Sequence, residues 1–177
     1  MRGRQRGFTL VELMVVVAIV SALATLAVYG VRKYVFASKS AEPIYMIGQI
    51  KTQQEAWREE FHAYYDVSSS LTSYYPDVPS DTKRHWVNES HGDRQKWLFL
   101  GVSTPNPVQF GYISKSGDSN TLPPGLGTSQ PGWPPASTGG EPWFLVLAVG
   151  DLNANGTYSK FVGSSFTSEI YAENEGE

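Results

Sequence analysis

The stretch Arg6-Gly7-Phe8-Thr9-Leu10-Val11-Glu12-Leu13 opens an apolar run that continues to Val31 and organises this 177-residue chain. From Phe8 to Val31 the run holds 24 residues, with one acidic residue, Glu12, and no basic residue or proline. As a helix that rises 1.5 Å per residue it would be about 36 Å long, enough to cross the hydrocarbon core of a bilayer. The sequence therefore predicts a membrane-spanning helix from Phe8 to Val31.

Three arginines, Arg2, Arg4 and Arg6, precede this apolar run. Basic residues beside a membrane span tend to stay on the cytoplasmic side, so the rest of the chain is expected on the outer side. Two simpler alternatives fit the same pattern. One is a secretory signal peptide cut near Ala22-Leu23-Ala24, and the other is an uncleaved single-span anchor. Neither alternative explains an acidic residue inside the run.

Glu12 is the residue that needs an explanation. A charge at the centre of a membrane helix costs roughly 2.5–3.5 kcal/mol for Asp, Lys or Arg, and less near a helix end. If the chain is cut after Gly7, Phe8 gains a free amine one helical turn from Glu12. A buried carboxylate is tolerated when it is paired. Pairing with this amine, or with that of a neighbouring copy, would penalise any packing register that leaves Glu12 alone.

Residues 6–13, RGFTLVEL, followed by MVVVAIVSALATLAV, resemble the N-terminus of type IV pilins and type II secretion pseudopilins. The resemblance implies that residues 1–7 are a leader, that prepilin peptidase cuts between Gly7 and Phe8, and that Phe8 becomes an N-methylated terminus. It also implies that Glu12 is the assembly glutamate. The implied partners are copies of the chain or other pilins in a helical filament, the peptidase, and an inner-membrane assembly platform.

A second helical pattern runs from about Ala41 to Tyr65. Its apolar residues recur every three or four positions, with Gln54 as a polar interruption: Ile44, Ile47, Ile50, Trp57, Phe61 and Tyr64. This stripe predicts an amphipathic helix packed against the rest of the chain. Pro43 either begins a new helix or bends a continuous one. The pilin resemblance favours one long bent helix from Phe8 to about Tyr65.

Residues 66–177 are predicted to form a β-rich head. Residues 66–95 lack periodicity and predict a long surface loop, which is a candidate contact region in a pilin. The Gly- and Pro-rich stretch Lys115–Glu141 predicts an irregular excursion, and Pro142–Val149 predicts a buried central strand. The predicted strands are Trp97–Val102, Val108–Ser114, Pro142–Val149, Thr157–Val162 and Phe166–Ala172.

These elements predict an α+β fold. The resemblance implies a pilin fold, with a long bent N-terminal helix packed on an antiparallel sheet of four or five strands. The expected organisation is a leader over 1–7, an assembly helix over 8–40, an amphipathic helical half over 41–65, and a globular head over 66–177.

Composition excludes several classes of function. There is no cysteine, so disulfides and thiol nucleophiles are absent. Removing residues 1–7 takes away three of 14 basic residues and none of 17 acidic ones, which changes the net charge from −3 to −6. This charge argues against a broad cationic nucleic-acid surface. The histidines, His62, His85 and His91, lack paired metal-ligand spacing, and no catalytic constellation is recognisable, so no enzyme activity is expected.

Asp151-Leu152-Asn153-Ala154-Asn155-Gly156 has the spacing that opens a calcium-binding loop, with Asp151, Asn153 and Asn155 as its oxygen donors. Val162 stands where such a loop carries a bidentate glutamate, and only one carboxylate is present. The favoured interpretation is an Asn-Gly turn that joins two strands, with calcium as the alternative. No other cofactor or metal is expected.

The expected function is that of a structural subunit, major or minor, of a type IV pilus-like filament. The chain would wait in the bacterial inner membrane as a single-pass precursor and then enter a filament in the periplasm or at the cell surface. One alternative is a pseudopilin of a type II secretion system, which the lack of cysteine fits somewhat better. Another is a minor pilin at the filament tip that acts as an adhesin or DNA receptor.

Overall fold

The computed structural model describes residues 7–128 and 140–175. Chain contacts divide the protein into two compact units, Met1–Val35 and Phe36–Glu177. Most of the predicted leader and part of the predicted excursion after Lys115 lie outside the described residues.

Helix α1 spans Leu10–Lys39. It begins two residues after Phe8, where the long helix was predicted to start. The side chains of residues 7–31 are all exposed. The hydroxyls of Ser21 and Thr25 donate to the carbonyls of Val17 and Ser21, at 2.7 and 2.9 Å. The polar side chains in the middle of α1 are therefore satisfied within the helix itself.

Helix α2 spans Ala41–Phe61, after a single turn residue, Ser40. Pro43 explains the break, because its ring would clash with the Lys39 carbonyl four residues earlier and it has no N–H to donate. Proline is tolerated within the first turn of α2, where an N–H would lack a helical partner. At the other end, His62 adopts a left-handed conformation (φ 58°) and donates its N–H to the Arg58 carbonyl at 2.8 Å. The helix thus ends before the predicted Tyr65.

Four antiparallel strands form one sheet in the order β1-β2-β3-β4, a simple meander. The strands are β1 Gly111–Gly117, β2 Trp143–Gly150, β3 Ser159–Ser164 and β4 Tyr171–Glu173. Strand β2 is buried along its whole length, as predicted for Pro142–Val149. The α+β class and the antiparallel sheet of four strands are confirmed.

The sheet has a packed layer on each face. On one face Phe144, Val146 and Ala148 of β2 pack in the core that includes Ile47 and Ile50 of α2. On the other face lies a smaller cluster, against which three loop residues and one residue of β4 pack. It consists of Ile113, Leu147, Val149 and Val162, with Leu71, Tyr74, Leu126 and Tyr171 against it. Both faces being covered explains the uninterrupted apolar sequence of β2.

Gln54 resolves the polar interruption in the α2 stripe. It is fully buried, and its amide donates to the Tyr65 carbonyl at 2.8 Å and to Ser114 Oγ at 3.0 Å. Its side-chain oxygen accepts the Tyr65 N–H at 2.9 Å. Gln54 therefore ties α2 to β1 and to the chain that leaves α2.

Glu42 ties the other end of α2 to the sheet. One carboxylate oxygen accepts the N–H groups of Gln109 and Phe110 at 2.8 and 3.1 Å, and the Tyr112 hydroxyl at 3.1 Å. Burial, with the Glu42 carboxylate beside it, raises the pKa of Tyr112 well above its ordinary value. Tyr112 therefore stays a neutral donor to Glu42 in neutral solution.

The predicted strand over Trp97–Val102 is wrong. The structure has a short helix, α3, at Arg94–Leu100. Trp97 and Leu100 are buried while Leu98 and Phe99 are exposed, so burial follows a helical period and not an alternating one. Gly101, with φ 80°, ends the helix. An apolar run this short gives no periodicity from which the sequence could separate the two structures.

Other boundaries also differ from the prediction. Strand β1 starts at Gly111, and Val108 instead forms an isolated bridge with Arg84. Strand β4 covers only the end of the predicted Phe166–Ala172. Two members of the predicted buried stripe of α2 are exposed, Ile44 by 47% and Phe61 by 51%.

Candidate functional site

The start of α1 is closed by a reciprocal pair of contacts between Thr9 and Glu12. The Glu12 N–H donates to Thr9 Oγ1 at 3.2 Å. The Thr9 N–H and hydroxyl both donate to Glu12 Oε2, at 2.9 and 2.8 Å. Thr9 precedes the first helical residue, Leu10, so the pair forms a capping box of the type Thr-x-x-Glu. The box satisfies backbone donors that the first helical turn otherwise leaves open.

The capping box gives Glu12 a structural role that the sequence interpretation missed. Its carboxylate lies in the first turn of α1, where the helix dipole favours a negative charge. The spacing Thr9-Leu10-Val11-Glu12 before an apolar run is itself a capping signal and could have revealed it. The predicted pairing of Glu12 with the amine of Phe8 stays a prediction, and Thr9 now stands as a competing donor.

Gly7 and Phe8 lie before α1 and outside regular structure. Both are exposed, Phe8 by 82%, and no atom approaches within 4 Å of the position that a Gly7 Cβ would take. An exposed segment outside regular structure is accessible to a peptidase. Cleavage after Gly7 and N-methylation of Phe8 stay predictions.

Within α1, Leu10–Val31 is apolar and long enough to cross a membrane by length and composition, with a mean hydropathy of 2.5 over 22 residues. At 1.5 Å per residue this part is about 33 Å long, close to the thickness of a bilayer core. None of its most apolar window is buried within the chain. A surface this apolar must be covered by lipid or by other protein.

The Asp151 loop joins β2 to β3, as the turn interpretation predicted. The two Asp151 carboxylate oxygens accept the N–H groups of Asn155 and Gly156, both at 3.2 Å. Asn153 Oδ1 also accepts the Asn155 N–H at 3.0 Å, and Asn155 Oδ1 accepts the Thr157 N–H at 2.6 Å. Side chains of the loop therefore close it by bonding to its own backbone.

The predicted calcium donors Asp151, Asn153 and Asn155 are brought together on this turn, but Val162 is not near the surface. It is fully buried in β3, so its position offers no ligand to an ion. Across the described ranges 7–128 and 140–175, no group of three or more His, Asp or Glu side chains is placed to hold a metal ion. Calcium binding stays a prediction.

Asp93, a buried acidic residue outside the predicted sites, organises the long loop. Its Oδ2 accepts the Ser69 N–H and hydroxyl at 3.1 and 3.2 Å, and the Ser73 hydroxyl at 2.5 Å. Burial alone would raise the pKa of Asp93, but these hydrogen bonds outweigh it and hold the pKa below its ordinary value. The predicted long loop is therefore pinned by a carboxylate next to α3.

Comparison with known proteins finds relatives of the N-terminal segment. Residues 2–28 match the family described as the prokaryotic N-terminal methylation motif. The chain is 37% identical over 68 residues to the type IV major pilin protein PilA of Myxococcus xanthus, which is 38% of this chain and 31% of that protein. It is 40% identical over 55 residues to the type IV major fimbrial protein FimA of Dichelobacter nodosus, which is 31% of this chain and 35% of that protein.

The aligned part thus spans about a third of the length of each of these relatives. No solved structure matches the chain significantly. The resemblance that was drawn from residues 6–13 and the apolar run after them is confirmed.

Proposed function

We propose that this chain is a structural subunit of a type IV pilus-like filament, as a major or minor pilin. It would be made as a single-pass precursor in the inner membrane and oriented by Arg2, Arg4 and Arg6. Prepilin peptidase would cut after Gly7, and the assembly platform would then draw the subunit into a helical filament at the cell surface.

One observation carries this proposal. The methylation motif over residues 2–28 includes most of the helical span Leu10–Val31, whose apolar side chains are exposed. A processed chain leaves the membrane only if other protein replaces the lipid around this helix. Copies of the same helix are suitable replacements, since they share its apolar character. The role is structural, and we propose no enzyme activity.

Glu12 would act at the moment of transfer. Before cleavage the Thr9 cap holds its carboxylate. After cleavage the amine of Phe8 competes for that carboxylate, on the same chain or on a neighbour. An unpaired charge in the packed bundle is costly, so only registers that pair Glu12 would be stable.

Two substitutions test the proposal in cells that produce the chain. Gly7→Leu should block cleavage and leave the precursor in the membrane fraction. Glu12→Val should be cleaved but should be depleted from sheared filaments. Glu60→Val is the matched control, since it removes a carboxylate at an exposed position of α2, and it should be both cleaved and assembled. If both Gly7→Leu and Glu12→Val were processed and assembled like the parent chain, the proposal would be wrong.

A pseudopilin of a type II secretion system is the second candidate. The absence of cysteine from the chain supports it, because many pilins close a C-terminal loop with a disulfide. Deletion separates the two candidates. A pilin would be recovered from sheared surface filaments, whereas loss of a pseudopilin would stop protein secretion and leave surface filaments unchanged.

A further inference from the structure

The outward face of α2 carries an open groove that the fold of a single subunit does not use. Its volume is about 580 Å³, and it lies between α2 and the segment Gly101–Ser103 that follows α3. The α2 residues that line it lie on the side opposite the buried Met46, Ile47 and Ile50. They include Ile44, Tyr45, Gly48, Gln49 and Thr52.

The groove differs from the rest of the α2 surface in its charge. None of the nine residues that line it is charged. Beyond Gln54 the exposed surface of the same helix carries Glu55, Glu59 and Glu60. The centres of protein interfaces are depleted in charged residues and enriched in tyrosine. The groove has both properties, with Tyr45 exposed at its edge.

The polar side chains of Tyr45, Gln49 and Thr52 in the groove are hydrogen-bonded within α2. Thr52 Oγ1 donates to the Gly48 carbonyl at 3.0 Å, and the Gln49 amide donates to the Tyr45 hydroxyl at 2.5 Å. The hydroxyls of Ser21 and Thr25 in α1 likewise donate to backbone carbonyls of their own helix. These polar groups already have a partner in their own helix, so covering them with a second helix costs less than covering unpaired groups would.

Contacts within one subunit do not explain why residue 48, inside α2, is a glycine. Glycine inside a helix costs about 1 kcal/mol relative to alanine. The glycines of the sheet have a packing reason, since a Cβ at Gly111, Gly150 or Gly163 would lie less than 3 Å from a neighbouring atom. A Cβ at Gly48 would meet nothing within 4 Å. Gly30, inside α1, is open in the same way. Close approach of another helix would explain why both positions are glycine.

We infer that this groove receives the uncharged part of α1, between Leu13 and Val31, from a second copy of the chain. This inference rests on the proposed function, because it needs α1 to leave the membrane. The match is one of chemistry. The groove is uncharged, open at a glycine, and edged by Ile44 and Tyr45, and the 22-residue apolar span of α1 has no cover within its own chain. Packing in this groove holds the head of one copy against α1 of its neighbour, in addition to any contact between the α1 helices.

Disulfide trapping tests the inference directly, since the chain has no cysteine of its own. A tagged copy carrying Thr52→Cys is produced together with an untagged copy carrying a single cysteine in place of Ala18, Ala22, Ala24 or Ala27. Sheared filaments are then oxidised. A tagged–untagged disulfide should form with at least one α1 position, because a disulfide requires Cα atoms within about 7 Å. Ala56→Cys, exposed on the same helix outside the groove, is the matched control and should give none.

A second variant separates a defect in assembly from a defect in folding. Gly48→Leu fills the groove, and it should reduce filament yield by about tenfold, which is the effect of losing one good contact. The melting temperature of the subunit in detergent should not fall, since the added side chain enters open space. Ala56→Leu adds similar bulk outside the groove and should leave the yield unchanged.

The outcomes separate the inference from the proposed function. Normal filaments with no disulfide between the groove and α1 would overturn the inference and leave the function standing. A disulfide between two copies that both carry Thr52→Cys, with none to any α1 position, would show that the head of another copy occupies the groove. This result would also overturn the inference. If the unsubstituted chain never entered a filament, both would fail.

Discussion

Gln54 offers the most quantitative test of how the head is held together. Replacing it with alanine removes three hydrogen bonds, two to the backbone of Tyr65 and one to Ser114 Oγ. A buried polar group left without a partner costs about 1–3 kcal/mol, and the two Tyr65 backbone groups, in a half-buried residue that water can reach, should cost about 1–2 kcal/mol each. The emptied volume adds about 1 kcal/mol. The expected loss in the free energy of unfolding is therefore about 3–5 kcal/mol.

The measurement is urea and thermal unfolding of the fragment from Phe36 onward, which forms a compact unit. For a domain of this size the melting temperature of Gln54→Ala should fall by about 10–15 °C. Gln95→Ala, at an exposed position of α3, is the matched control and should change the free energy of unfolding by less than about 0.5 kcal/mol. A loss below about 1 kcal/mol for Gln54→Ala would refute the role given to these bonds.

Three further predictions concern the carboxylates of Glu42, Asp93 and Asp151. Glu42→Ala strands the donors at Gln109, Phe110 and Tyr112 and should lower the free energy of unfolding in urea by about 2–4 kcal/mol; an unchanged midpoint would contradict this. Since the folded pKa of Asp93 is lowered, its stabilising contribution should be complete above the ordinary carboxyl pKa of about 4 and be lost as pH falls through the folded value. The stability difference between the parent chain and Asp93→Asn should shrink over that acidic range, and a difference independent of pH would be contrary evidence. Asp151→Ala should cost about 1–2 kcal/mol by opening the turn, whereas millimolar calcium should leave the melting temperature of the parent chain unchanged; a calcium-dependent rise that Asp151→Ala abolishes would favour the ion.

The sequence predicted those parts of the fold whose causes are local. The apolar run to Val31 predicts its helix because length and composition alone suffice. Strand β2 was predicted because a strand covered on both faces is apolar throughout. The turn at Asn155-Gly156 was predicted because its side chains bond to neighbouring residues in the chain.

The missed features depend on residues that are distant in sequence. Gln54 looks like a flaw in the α2 stripe until Ser114, 60 residues away, is placed beside it. Ile44 fits the same stripe but faces outward, because the sheet covers only part of the helix. The run around Trp97 became a helix since tertiary burial, and not the pattern itself, selects between the two structures.

The candidate functional features also divide into those that the sequence predicts and one that it does not. The processing junction was predicted from residues 6–13 and stays a prediction, and the capping role of Thr9 was readable from the spacing Thr-x-x-Glu before the apolar run. The groove at Gly48 could not be predicted, since it is formed by α2 together with Gly101–Ser103, about 50 residues further along the chain.

The proposed function has two parts: the chain is cut at its junction, and it enters a filament as a structural subunit. Mass spectrometry of the N-terminal peptide from sheared surface filaments tests both. We expect a peptide that begins at Phe8 and carries the mass of one added methyl group, in the abundance of a subunit. A peptide that begins after Ala24, or one that retains Met1 in the filament fraction, would show that the chain is not processed as proposed.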